Sequence, residues 1–163
     1  MKSTWYGAML IPLYMLPEVF VGLVIARAGI YKGKKKASEV FFLASGFFLC
    51  VMGISDSLFL ILISAIAVGI TSAVSWPLAN AVFSDLAERT GKEKKHVMGL
   101  TSAMFSLSYV IGPVLAGFLS SVSGERRTFL YMGMLTIFVA IILLIVTPKK
   151  IRLPQQEIQA WKD

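Results

Sequence analysis

Charged residues are scarce in this chain of 163 residues, where Asp, Glu, Lys and Arg together make up 15% of the sequence. Soluble globular domains usually carry about 25% charged residues. Hydrophobic residues make up 56% of the chain. This balance argues against a soluble domain and predicts an all-α integral membrane protein, because a helix satisfies its own backbone groups in lipid.

Several kinds of chemical site are also missing. The single cysteine, Cys50, excludes an intramolecular disulfide framework and has packing as its simplest role. His96 is the only histidine, so we predict no metal site and no cofactor. There is no GxGxxG or P-loop pattern to bind ATP, and no nucleophile, base and orienting group share one apolar stretch. We therefore predict that the chain is not an enzyme.

The sequence contains five long apolar stretches. Roughly 20 apolar helical residues cross a hydrocarbon core of about 30 Å. The second stretch is the shortest, since only residues 40–54 are strictly apolar, and it needs residues 37–39 to reach this length. We predict transmembrane spans at about 4–26, 38–54, 58–82, 97–121 and 128–147, followed by a cytoplasmic tail at 148–163.

The first stretch could be a cleaved signal peptide instead of a span. Lys2, the apolar run and the sequence Ala26-Arg27-Ala28 superficially fit one. The run is longer than the roughly 7–15 apolar residues of a signal peptide, however, and basic residues follow it directly. We therefore expect the first stretch to remain as a span.

Basic residues cluster between and after the spans, which is the pattern of membrane topology and not of nucleic-acid binding. Of the 16 Lys and Arg residues, all but Lys2, Arg126 and Arg127 follow the first, third or fifth span. Cytoplasmic loops carry the excess of positive charge. We therefore predict a multi-pass protein of the cell membrane with its N-terminus outside and its C-terminus in the cytoplasm, with the lipid bilayer and not nucleic acid as its partner.

The fourth span carries small residues at every fourth position, at Ser108, Gly112, Ala116 and Ser120. Such spacing forms a groove along one side of a helix, where another backbone can approach closely. Pro113 frees a backbone carbonyl that neighbouring helices or water must satisfy. We therefore expect this span inside a bundle, and we expect the nearly featureless fifth span to be peripheral and to face lipid.

Glu18 is the one ionisable carboxylate in the apolar stretches at residues 4–26, 40–54, 58–82, 97–121 and 128–147, and it lies about 4 to 5 Å of helix rise from the middle of the first span. A buried membrane acid is either a proton or substrate site, or a protonated structural acid bonded to a neighbouring helix. Tyr14 lies one turn earlier on the same face. Asn80 and Tyr109 are further cavity candidates because they lie beside Pro77 and Pro113. Asp56, between the second and third spans, is expected to cap a helix.

Three stretches of the chain match known transporter patterns. Residues 108–117, SYVIGPVLAG, are similar to GxxxGPxxGG, and residues 75–81, SWPLANA, followed by Asp85, are similar to the end of a fourth or tenth helix. Residues 22–36 resemble an eroded GxxxDRxGRK loop, in which Ala26 takes the Asp position. The positions that match are, for the helix pattern, Ser108, Gly112, Pro113, Ala116 and Gly117, and for the loop pattern, Gly22, Arg27, Gly29, Gly33, Lys34 and Lys35.

Over roughly residues 6–147, the chain resembles one half of a major facilitator superfamily transporter. Family members have two six-helix halves, so the resemblance implies an incomplete half-bundle of five helices. We favour the C-terminal half, helices eight to twelve, because the third span lacks the arginine usual in the fourth helix and the chain stops soon after the fifth span. The resemblance also implies that the missing half, or a partner chain, is needed for a transport path.

The function implied is secondary transport of a small organic solute or drug, driven by protons. In that reading Glu18 carries the proton, Tyr14, Asn80 and Tyr109 line the cavity, and the helix pattern serves packing. The alternative is a truncated, non-transporting membrane subunit or remnant that is stable only with a partner.

Overall fold

The structure is a computed structural model that describes residues 33–147, together with Pro12 and residues 15–17 and 19–21. Residues 33–147 form four long α-helices and no strand. These are α1 (Lys34–Ile54), α2 (Leu58–Arg89), α3 (Lys94–Ser123) and α4 (Glu125–Val146), with a 3₁₀ turn at Gly91–Glu93. All four are long and apolar enough to cross a membrane. The all-α fold predicted from composition is confirmed.

The helices correspond to the second to fifth predicted spans, while most of the first span lies outside the described residues. α1 begins at Lys34, directly after Gly33, whose φ of 77° lies in the left-handed region. Its 21 residues give a length of about 32 Å, enough to cross the hydrocarbon core. The lysines at residues 34–36 therefore belong to the helix. Their long aliphatic stems can lie along the helix while the ammonium groups reach water.

α2 is longer than the predicted third span and ends at Arg89 instead of near residue 82. Its 32 residues extend for about 48 Å, well beyond the hydrocarbon core. The helix continues through Pro77. The polar turns after residue 83 therefore exceed the length that a bilayer needs, on a continuous helix, and water can solvate side chains that extend past the hydrocarbon core.

Consecutive helices run in opposite directions because their connections are short. The starts of α1 and α3 and the ends of α2 and α4 form one end of the bundle, here called the lysine end, marked by Lys34 and Arg89. The opposite end, here called the loop end, contains Asp56 and Gly124. The predicted grouping of the basic segments around residues 34–36 and 89–95 at one end is thus reproduced.

α1 lies between α2 and α4 and packs along both. Its contact with α4 is so close that glycine is required. A Cβ on Gly46 would lie 3.1 Å from the carbonyl oxygen of Gly133, and a Cβ on Gly53 would lie 2.8 Å from Cα of Leu130. Gly133 lets α4 approach the backbone of α1 on this face, while only Thr128, Gly133 and Ala140 of α4 are buried, so a peripheral and lipid-facing fifth span stays a prediction.

Two serines join α1 to α2. Ser38 Oγ donates a hydrogen bond to the backbone oxygen of Ser75 at 2.9 Å, and Ser75 Oγ donates one to the backbone oxygen of Ser38, also at 2.9 Å. Both residues are buried, with 8% and 7% of their surface exposed. Hydrogen bonds between membrane helices contribute about 0.6 kcal/mol each on average. The reciprocal pair fixes the first turns of α1 against α2.

α3 is different from the other three helices because none of its residues is buried. It touches α2 and α4 along much less of its length than α1 does. Its large apolar side chains are open, as at Val114 with 67% and Val122 with 72% of the surface exposed. Among the described residues, α3 therefore forms the edge of the bundle.

Candidate functional site

An ion pair closes the lysine end of the bundle. Lys34 Nζ lies 2.9 Å from Asp85 Oδ2, which links the first residue of α1 to the last turns of α2. Within the first turns of α1, Lys35 Nζ lies 3.6 Å from Oε1 of Glu39, four residues further along. The side chains of Lys34 and Asp85 are 23% and 49% exposed, so solvent screens the pair and its contribution to stability is at most about 1 kcal/mol. Its main effect is to fix the basic end of the loop pattern on α2.

A second ion pair closes the loop end. Arg126, in the first turn of α4, donates hydrogen bonds to Asp56 Oδ1 and to the backbone oxygen of Ile54 at the end of α1. The hydrogen bond and the positive charge of Arg126 hold the pKa of Asp56 below its usual value. A lowered pKa means that the pair forms fully above the ordinary range of Asp titration and weakens as the pH falls through that lowered value.

The expectation that Asp56 caps a helix is not met. Ser57 occupies the N-cap position of α2 and makes no side-chain capping hydrogen bond. Asp56 instead pairs with Arg126, 70 positions along the chain. The sequence could not show this pairing, because it depends on α4 returning beside α1.

An aromatic contact joins α2 to α3. The ring centroids of Trp76 and Phe105 are 5.0 Å apart with an angle of 49° between the planes. Asn80, one turn along α2 from Trp76, is half-buried, and Tyr109, one turn along α3 from Phe105, is 76% exposed. Two of the predicted cavity candidates are therefore on neighbouring helices, one turn away from this contact on opposite sides of it, because α2 and α3 run in opposite directions. Phe105 was not among the predicted residues.

At Gly112 the small-residue groove of α3 has no described neighbour from another helix. No described atom of another helix lies within 4 Å of a Cβ built on Gly112 or Gly117. Ser108 Oγ donates to the backbone oxygen of Met104 on its own helix at 2.8 Å, and Ala116 is half-buried. α3 continues through Pro113 without a break. The packing role of this pattern stays a prediction, since its partner is not among the described residues.

The remaining predicted site residues fall outside the described part of the chain. They are Tyr14, Glu18, Gly22, Arg27 and Gly29. The loop pattern is therefore seen only from Gly33 onward. The chief positions that sequence reasoning missed are Gly46, Gly53 and Gly133, whose signal was two glycines seven residues apart in the second span and one near the start of the fifth.

Comparisons with known proteins agree with the fold. The family model described as Major Facilitator Superfamily matches residues 5–163. The chain is similar to the class H tetracycline resistance protein of Pasteurella multocida, with 29% identity over 123 residues, which is 76% of this chain and 30% of the relative. The match thus spans less than a third of that relative's length. No solved structure matches the chain significantly.

Proposed function

Because this chain belongs to the major facilitator superfamily, we propose that it forms part of a secondary transporter for a small organic solute or drug, with transport coupled to protons. The family match over residues 5–163 carries the proposal. It agrees with the chain's multi-pass, helical character and with its lack of nucleotide-binding patterns.

A planar drug is the solute class we favour. The similar protein from Pasteurella multocida is named for tetracycline resistance. In this chain, Trp76 is 48% exposed while it contacts Phe105, so its ring still has a free surface. Aromatic rings attract other planar rings through stacking or edge contacts. Asn80 and Tyr109 would add hydrogen-bonding groups beside that surface.

A transport path also needs helices that cover α3. Alternating access moves one half of such a transporter against the other around a site between them. α3 has no buried residue, and its glycines at 112 and 117 leave room for a close neighbour. We propose that the groove of α3 packs against helices of the complementary half, with this chain supplying the equivalent of helices eight to twelve.

Transport assays on a completed protein test this proposal. The chain replaces the matching segment in the class H relative, which keeps the rest of its own sequence, and tetracycline uptake is measured in inverted membrane vesicles under a proton gradient. We expect uptake by the chimera, loss of uptake when a protonophore collapses the gradient, and no uptake by the chain alone. Uptake that ignores the protonophore would contradict proton coupling, and uptake by the chain alone would contradict the need for a second half.

We further propose that the lysine end faces the cytoplasm of the cell and the loop end faces outside, because 13 of the 16 basic residues follow the first, third or fifth span. Single cysteines placed at Lys36 and at Ser57, in a Cys50→Ser background, report this directly. A membrane-impermeant maleimide should label Ser57→Cys in intact cells but Lys36→Cys only after permeabilisation. The reverse pattern would invert the topology.

A further inference from the structure

A recess of about 500 Å³ opens at the lysine end of the bundle, separate from the aromatic contact between α2 and α3. The start of α1, the last turns of α2 and the last turn of α4 form its walls. Four basic side chains line it, Lys34, Lys35, Lys36 and Arg89, against two carboxylates, Glu39 and Asp85. The lining therefore contains more basic than acidic groups.

The backbone adds to this charge. α1 has no acidic residue in its first turn and no side-chain hydrogen bond at its N-cap, Gly33, which also lines the recess. Helix N-termini favour negative charge, so three consecutive lysines at this end repel the helix dipole as well as one another. A bound anion would offset all of these repulsions.

The recess also has an apolar side. Val82, Leu86 and Leu144 contribute to its lining. Leu144 belongs to the last turn of α4, where an apolar helix reaches the membrane surface. A ligand here would meet cationic groups at headgroup level and aliphatic side chains toward the hydrocarbon core. An amphiphile with an anionic head fits this arrangement better than a fully water-soluble anion does.

We propose that this recess binds the phosphate group of an anionic phospholipid, with Lys36 and its basic neighbours holding the phosphate and Leu144 contacting the start of an acyl chain. The bound lipid would stabilise the start of α1 and its contacts with α2 and α4. This site is independent of the solute path, so it would exist whether or not the chain transports.

Native mass spectrometry of the detergent-solubilised full chain tests the proposal, with phosphatidylglycerol as the anionic probe and phosphatidylcholine as the neutral one. We expect the first phosphatidylglycerol to bind more tightly than phosphatidylcholine. Removing one lysine charge near a membrane surface costs about 1 kcal/mol of anionic-lipid attraction, so Lys36→Gln should weaken the first phosphatidylglycerol about fivefold. Lys36→Glu should weaken it further.

Lys95→Gln is the matched control, because Lys95 is an exposed lysine in the first turn of α3 at the same end of the bundle but does not line the recess. We expect it to change binding little. Circular dichroism should show equal helicity in both variants, since both lysines are exposed. Equal losses from the two variants, or equal binding of the two lipids, would overturn the site. Displacement of the lipid by millimolar inorganic phosphate would overturn the lipid assignment.

Discussion

Replacing Gly53 with alanine is expected to lower the free energy of unfolding by about 2 kcal/mol, within the range of about 1–3 kcal/mol measured when well-packed sites are overfilled. The added methyl group would stand 2.8 Å from Cα of Leu130 and 2.7 Å from its Cβ. Because the obstructing atoms belong to the backbone and its first side-chain carbon, no side-chain rotation can relieve the contact. α1 and α4 would have to move apart.

Gly133→Ala should have an effect of the same kind from the opposite side of this contact. Its Cβ would stand 2.7 Å from the backbone nitrogen and 2.7 Å from the Sγ of Cys50. The two substitutions change one shared contact, so their combined effect should be smaller than the sum of the single effects. Unfolding of the full chain by SDS titration in mixed micelles, followed by helicity, measures all three variants.

Gly117→Ala is the control that separates packing from helix propensity. It places the same methyl group on an apolar helix, where no described atom of another helix lies within 4 Å. Alanine favours a helix over glycine by about 1 kcal/mol, so the control should be neutral or slightly stabilising. If Gly53→Ala destabilises the chain no more than Gly117→Ala does, the close packing of α1 on α4 is wrong.

The contrast between these glycines shows what the sequence could and could not predict. The length of each apolar stretch predicted α1 to α4, because lipid leaves the backbone few alternatives to a helix. The sequence did not predict which helices pack closely against each other. The regular spacing of Ser108, Gly112 and Ala116 predicted a packing face on α3. The close contact is instead built from Gly46 and Gly133, which lie 87 positions apart and belong to no four-residue repeat.

For the charged contacts, too, the sequence identified single residues but not their partners. Lys34 belongs to the loop pattern and Asp85 follows the pattern at the end of the third span, but only the fold shows that they form an ion pair. Asp56 and Arg126 were separated by two spans and gave no sequence signal for their pairing. Ion pairs between helices depend on which helices are neighbours, and that information is spread over the whole chain. Local patterns could therefore identify the groups without their partners.

In the completed transporter, Glu18→Gln is expected to reduce proton-driven solute flux at least tenfold while exchange of solute down its own gradient continues. Glu18 lies outside the described residues, and this expectation follows from its depth in the predicted span and its charge. An acid near the middle of a span costs several kcal/mol when ionised, and it persists there when function needs its titration. Glutamine keeps the size and a hydrogen-bonding carbonyl but cannot release a proton.

The same substitution distinguishes the two roles open to this acid. A protonated structural acid acts through its hydrogen bonds, so glutamine should preserve both the flux and its dependence on pH. A proton carrier acts through its titration, so glutamine should remove the pH dependence together with the driven flux. Glu125→Gln is the matched control, because Glu125 is exposed at the loop end of α4 and should leave both properties unchanged. Driven flux that survives Glu18→Gln with its normal pH profile would remove Glu18 from the coupling mechanism.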